Sequence, residues 1–243
     1  MQKKYSLVYF LVLIMTIGLG SCQAQTGKKE KSSAGQTKET RNSSSFSSLD
    51  LAISANVFLR QGSPQSVVLE GDADDIDKVV TEVSGSELKI KTRPGTWNIG
   101  RINVYITVEN IKELNISGSG SIKAETAIKS ENLSLVISGS GNINIPQLSV
   151  QSVSSVISGS GNISYSGSTG AGKSKLVVTG SGNINAEGLT TNDVTVNITG
   201  SGDCKVNANE NLEVQITGSG SVFYKGKAMI NANVTGSGKV RQI

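Results

Sequence analysis

At 243 residues the chain has room for one or two domains, but it is only 4% aromatic with a single Trp, so its core must be thin and aliphatic rather than the deep centre of a globular enzyme. A net charge of +4 at pH 7, falling to +2 if Lys3 and Lys4 leave with a leader, is too small to argue for nucleic acid as a partner. The chain contains no His, which sets aside the short-coil acyltransferases that rely on a His base.

Residues 1–21 read as an export signal, with Lys3 and Lys4 as the basic start, Leu7 to Ile17 as the apolar stretch and Leu19-Gly20-Ser21 before Cys22. The apolar run is too short for a spanning helix. Leu19 to Cys22 resembles the lipobox of bacterial lipoproteins, which implies that Cys22 is lipidated and anchors the mature chain. Gln23 follows without an acidic tract, which points to the outer membrane without fixing the surface or periplasmic face. Residues 22–45, polar and poor in apolar side chains, are expected to form a flexible tether.

A single domain is expected over 46–243. Its first part, 46–110, alternates well: Leu51, Ile53, Ala55 and Val57 form one apolar row, and Leu88, Ile90 and Ile102 to Val108 supply others. Asp72 to Val80 reads as a brief turn or helix, and Ile53-Ser54-Ala55-Asn56-Val57 as a degenerate copy of a phrase that recurs downstream. This part is expected to begin and cap the stack that follows.

That phrase is Gly-Ser-Gly, whose first Gly stands at 118, 139, 159, 180, 200, 218 and 236, with spacings of 21, 20, 21, 20, 18 and 18. A period near 20 residues marks a solenoid in which each copy is one rung. Two residues before each first Gly stand Ile116, Ile137, Ile157, Val178, Ile198, Ile216 and Val234, and four after it Ile122, Ile143, Ile163, Ile184, Cys204, Val222 and Val240. Apolar, mostly β-branched residues at every second position are the period of a half-buried strand. Gly supplies the tight corner and lets corners stack about 4.8 Å apart. Crossovers between parallel strands are right-handed. The expected fold is therefore all-β, a right-handed parallel β-solenoid of flattened section, with a second, variable corner at Ile145-Pro146-Gln147, Glu187-Gly188 and Lys225-Gly226-Lys227. The Ile/Val column at 116–234 is expected to be buried throughout.

Several patterns suggest chemistry. Gly167 to Ser174 fits a P-loop, but a P-loop feeds a helix whose N–H groups face phosphate, whereas Lys175-Leu176-Val177-Val178-Thr179 is a strand in register with the other rungs. No nucleotide is expected to bind. Asp72, Asp74, Asp75 and Asp77 lack a calcium-loop pattern and read as a solvated turn, so no metal and no cofactor are expected. Carbohydrate cleavage would need converging carboxylates, and the repeat corners offer only Asp203. Cys204 fills an Ile/Val column and reads as a buried small hydrophobe. Asn142, Asn162, Asn183 and Asp203 align as an outward row, first a hydrogen-bonded ladder and second a candidate ligand surface.

The repeated Ile-Ser-Gly-Ser-Gly-Asn-Ile and Val-Thr-Gly-Ser-Gly-Asn-Ile, the upstream Ile53 to Gly62 and Leu88-Lys89-Ile90-Lys91 resemble the head GIN domain family, auto-transporter adhesins common as lipoproteins in Bacteroidetes. The resemblance covers 46–243 and implies a β-helix similar to pectin lyases, no catalytic residues and a role in adhesion. The expected protein is non-enzymatic and lipid-anchored, meeting a glycan or a surface protein. The alternatives are a carbohydrate-active enzyme on the same coil and a periplasmic module that binds a protein. At the C-terminal end, Lys239 and Arg241 are expected to face outward and Val240 inward, guarding the last edge so that the domain stays monomeric.

Overall fold

The computed structural model describes residues 29–31, 36–96, 98–167 and 169–243; the export signal, Cys22, Ser168 and residues 22–28 and 32–35 of the expected tether lie outside the described residues. The chain is a β-solenoid of about six turns. Its described strands are β1 (Lys29–Lys31), β2 (Thr37–Arg41), β3 (Ser48–Leu51), β4 (Asn56–Gln61), β5 (Ser66–Gly71), β6 (Val79–Ser84), β7 (Glu87–Thr92), β8 (Asn103–Val108), β9 (Glu113–Ile116) and β10 (Ser121–Ala124). They continue as β11 (Ile128–Gly139), β12 (Asn142–Ile145), β13 (Leu148–Gly159), β14 (Asn162–Ser166), β15 (Ala171–Gly180), β16 (Asn183–Gly200), β17 (Cys204–Gly218), β18 (Ser221–Lys225), β19 (Met229–Gly236) and β20 (Lys239–Gln242). The one helix among the described residues, α1 (Ala73–Ile76), lies where a turn or helix was expected and is capped by the Asp72 carboxylate, which accepts from the N–H of Asp74 at 2.9 Å.

Each repeat strand pairs in parallel with its equivalent one turn on, so Ile116, Ile137, Ile157, Val178, Ile198, Ile216 and Val234 occupy one column. The first six are 0–2% exposed, but Val234 is 37% exposed. The expectation of a fully buried column fails there because, among the described residues, β19 pairs with β17 alone and no strand covers its other side. Met229, Ile230 and Ile243 are exposed on the same last turn, while Val240 is partly buried against the core and Lys239 and Arg241 face solvent.

The corners need Gly for two separate reasons. Gly139 has φ +139°, and a Cβ there would lie 2.6 Å from the Gly118 carbonyl oxygen. Gly141 needs space: its Cβ would lie 2.8 Å from the Gly120 oxygen and 2.6 Å from Ile116 Cγ2. Successive corners are joined by backbone hydrogen bonds, such as Asn142 N–H to the Gly120 oxygen at 3.0 Å.

The rungs are less simply flattened than the two-corner reading held. Inward and outward residues alternate from Val153 to Ile157, but between Val150 and Val153 two successive residues, Gln151 and Ser152, both point away from the core. Gly172-Lys173 and Asn192-Asp193 do the same one and two turns later. The rungs of 20 or 21 residues therefore bend a third time. In the 18-residue rung from Gly200 the core-facing run continues from Cys204 through Val206 to Ala208, so the second corner at Glu187-Gly188 has no counterpart, while the bend at Asn192-Asp193 is kept by Asn209 to Asn211.

One inward position breaks the apolar rule. Ser155 stands where neighbouring turns have Leu135 and Leu176, and it is fully buried. The cause lies across the core: Tyr165 reaches in from the opposite side, its hydroxyl 3.4 Å from Ser155 Oγ and 3.3 Å from Ser174 Oγ. A large side chain on one wall is matched by small ones on the other, and their hydroxyls satisfy each other in the interior.

The N-terminal strands pair with the first turn of the stack, though not in chain order. β3 lies between β7 and β9, and β4 between β8 and β10, so the first rung is flanked by strands from two later passes of the chain. The degenerate phrase forms the corner preceding Gly118: the Ala55 oxygen accepts from Ser121 N–H at 2.9 Å. Beyond this turn the pairing becomes antiparallel, through β5 on β8, β2 on β5, β1 on β2 and β6 on β7.

This corrects the tether as expected over 22–45. Thr37 to Arg41 is a strand with Thr37 and Glu39 buried, and Lys38 pairs with Glu70 at 3.1 Å while lying 5.4 Å from the Tyr105 ring centre. Polar composition did not prevent a strand here because the pairing edge of β5 supplies the backbone partners.

Candidate functional site

The candidate row at the corners is a ladder. Asn162 Nδ2 donates to Asn142 Oδ1 at 3.0 Å, Asn183 Nδ2 donates to Asn162 Oδ1 at 3.1 Å, and the backbone N–H of Asp203 donates to Asn183 Oδ1 at 3.1 Å. Asp203 Oδ1 then accepts from Ser221 N–H at 2.8 Å. Each amide carbonyl is thus engaged along the solenoid axis, and the row ties turn to turn.

A different surface has free polar groups. Along the bend after the second corner an open groove of about 700 Å3 runs across successive turns, with Leu133 and Val153 in its floor. Strand register sets its walls. Asn132, Ser152, Lys173 and Asp193 form one column, and Ser134, Ser154, Lys175 and Thr195 another. Two smaller hollows adjoin it through Lys112, Asn132, Lys129 and Ser130. Four lysines, Lys112, Lys129, Lys173 and Lys175, line the three together, against two acids, Glu131 and Asp193, a net of 4 − 2 = +2.

In the first column side chains bind each other: Ser152 Oγ donates to Asn132 Oδ1 at 2.6 Å, and Asp193 Oδ1 accepts from Asn211 Nδ2 at 2.7 Å. In the second, the hydroxyls of Ser134, Ser154 and Thr195 have no side-chain hydrogen bond among the described residues, and the four lysines have no ion-pair partner there. Among the described residues no aromatic side chain lines the groove or its neighbours. The sequence reading missed this site. Its signal was the pair of successive polar residues that interrupts each alternating run, at Gln151-Ser152, Gly172-Lys173 and Asn192-Asp193.

The other motifs are structural. Lys173 and Ser174 of the P-loop pattern lie within strand β15, with Ser174 buried against Tyr165. Among the acids of the α1 turn, Asp75 accepts from Lys78 Nζ at 2.8 Å and from Gly100 N–H at 2.9 Å; the Lys78 hydrogen bond, then that of Gly100, holds its carboxyl below the usual range.

Cys204 is fully buried, and loss of hydration, with the Asp203 charge adding to it, pushes its thiol up to about 12. Burial likewise raises the Tyr165 phenol. In both cases the unfolded chain releases its proton first as pH rises. Stability is therefore expected to fall with increasing pH from the ordinary thiol value of 9.0 upward. At pH 8 the native Cys204 should resist iodoacetamide and react fully in denaturant, as read by peptide mass mapping; rapid native labelling would contradict its burial.

The family described as "Putative auto-transporter adhesin, head GIN domain" matches residues 45–228. No curated protein matches the chain. Among solved structures, a "putative adhesin" from Bacteroides fragilis NCTC 9343 superposes with a TM-score of 0.80 at 23% identity, covering 87% of this chain and 98% of that one. A "Putative lipid binding protein" from Parabacteroides distasonis ATCC 8503 gives 0.71 at 24% identity, over 87% and 98%. A "putative adhesin" from Parabacteroides merdae ATCC 43184 gives 0.70 at 19% identity, over 87% and 97%. At these identities the likeness is one of fold.

Proposed function

Because the chain belongs to the head GIN domain family of auto-transporter adhesins, we propose that it is a non-enzymatic binding protein of the cell envelope, held to the outer membrane through a lipid on Cys22 and meeting a glycan or surface protein along its solenoid flank. One observation carries this reading. The groove beside Ser134, Ser154 and Thr195 crosses several turns and offers hydroxyls and ammonium groups without side-chain partners among the described residues, whereas the Asn142–Asp203 row has its groups engaged within the fold. Converging carboxylates of the kind that cleave glycosidic bonds are not what lines it among the described residues: Asp193 is its acid and is bound by Asn211, while Glu131 lines the adjoining hollows.

The test uses intact cells. A fatty-acid analogue is expected to label the wild-type chain and not Cys22→Ala, and external protease is expected to remove the domain from wild-type cells. Cells carrying the chain should adhere to a surface coated with glycans and envelope proteins better than cells lacking it. Full protection from protease together with unchanged adhesion would overturn the reading.

A further inference from the structure

We propose that the groove takes an anionic polysaccharide, laid across the turns with its acidic groups on Lys112, Lys129, Lys173 and Lys175. This rests on the reading of the solenoid flank as a binding surface and specifies what it binds. Charge comes first. The groove and its adjoining hollows carry an excess of two positive charges within a few turns, on a chain whose total is only +4, and none of the four ammonium groups is neutralised by an ion pair among the described residues. Such a cluster attracts an acidic chain and holds it more weakly as salt rises.

The remaining chemistry separates a sugar from other polyanions. Apolar floor residues, Leu133 and Val153, lie beside the stacked hydroxyls of Ser134, Ser154 and Thr195, a combination that meets the C–H faces and hydroxyls of a pyranose together. Ser134 and Ser154 stand one rung step of about 4.8 Å apart, followed in the same column by Lys175 and Thr195, so that hydroxyl and ammonium groups line up along the axis in the way an extended sugar chain can follow. An acidic peptide binds best by adding a strand to a free edge; β13, β15 and β16 have a partner strand on either side along this face, and β11 has one on either side from Ser134 to Ile137, which leaves only its stretch over 128–133 with a single partner among the described strands. Single-stranded nucleic acid relies on aromatic side chains on which bases stack, and none of the described residues that line the groove is aromatic.

The full chain, purified in detergent, is titrated with polygalacturonate, chondroitin sulfate, neutral dextran, poly-L-glutamate and an oligothymidylate. At least one acidic glycan is expected to bind ten-fold or more tighter than dextran, poly-L-glutamate and the oligonucleotide, and to weaken as salt rises. The double variant Lys173→Ala/Lys175→Ala should lose at least ten-fold in that affinity with an unchanged melting temperature, and Lys173→Arg/Lys175→Arg should keep it. Equal binding of poly-L-glutamate or the oligonucleotide, no preference for either acidic glycan, or full binding by the double Ala variant would each overturn the proposal. Cells that still adhere to the mixed surface while no acidic glycan binds would remove this ligand class and leave the adhesion reading standing, whereas loss of both would remove both.

Discussion

Ile157→Asp should destabilise the domain by about 4 kcal/mol or more, since a carboxylate would replace a fully buried side chain with no polar partner beside it. Loss of the side chain's own burial contributes about 1.5–3 kcal/mol, and the uncompensated polar group supplies the rest. The effect should spread beyond one turn, because Ile157 stacks between Ile137 and Val178 and the rungs on both sides rest on it. Val156→Asp is the control: Val156 is the adjacent residue on the outward face, so the same charge there should cost under about 1 kcal/mol. Thermal unfolding followed by circular dichroism should show a drop of roughly 10 °C for the first variant and a small one for the second. Equal shifts for the two would mean that column does not face the core.

A comparable loss is expected from Gly139→Ala. At φ +139° an L side chain is strained, and its Cβ would press on the Gly118 carbonyl of the turn before, 2.6 Å away, where the obstacle is backbone and cannot swing aside. Strain of about 1–3 kcal/mol adds to the cost of prising two rungs apart, for a total of about 3–5 kcal/mol. Gly85 separates the two contributions. It has φ +60° with nothing within 4 Å, so Gly85→Ala should carry strain alone, about 1 kcal/mol. Denaturant midpoints for the two variants check the comparison; a Gly139→Ala midpoint as high as that of Gly85→Ala would show that the corners are not in contact.

The repeat columns were legible because identical residues in identical surroundings carry a period that survives without knowledge of the fold. Ser155 was visible as an exception, yet its reason was not, since Tyr165 comes from the facing side and no local pattern connects them. The position of β3 between β7 and β9 was beyond reach for the same cause: alternation tells which side of a strand is buried, not which distant strand lies next to it. The strand at Thr37–Arg41 was hidden by polar composition, because its stability comes from pairing to β5 rather than from its own side chains. The groove escaped because its walls combine the third bend with residues from several turns, while the Asn row, regular enough to be seen, proved to be bound to itself.

The placement of the first rung also determines how the molecule would bear load. Tension applied at the N-terminal side reaches β1 first, which can leave β2 as an edge strand leaves a sheet, and then β2, which β5 holds on its other side. It then meets β3 and β4, each clasped by a strand on either side, so that neither can be drawn out without breaking two rows of backbone hydrogen bonds at once. From the opposite end, β20 and β19 each have one neighbour among the described strands and would peel away turn by turn. A chain held at its N-terminal side and pulled through a ligand on its flank would be gripped at the root by a two-sided clasp, with the easily unravelled turns lying beyond the point of attachment and out of the line of force.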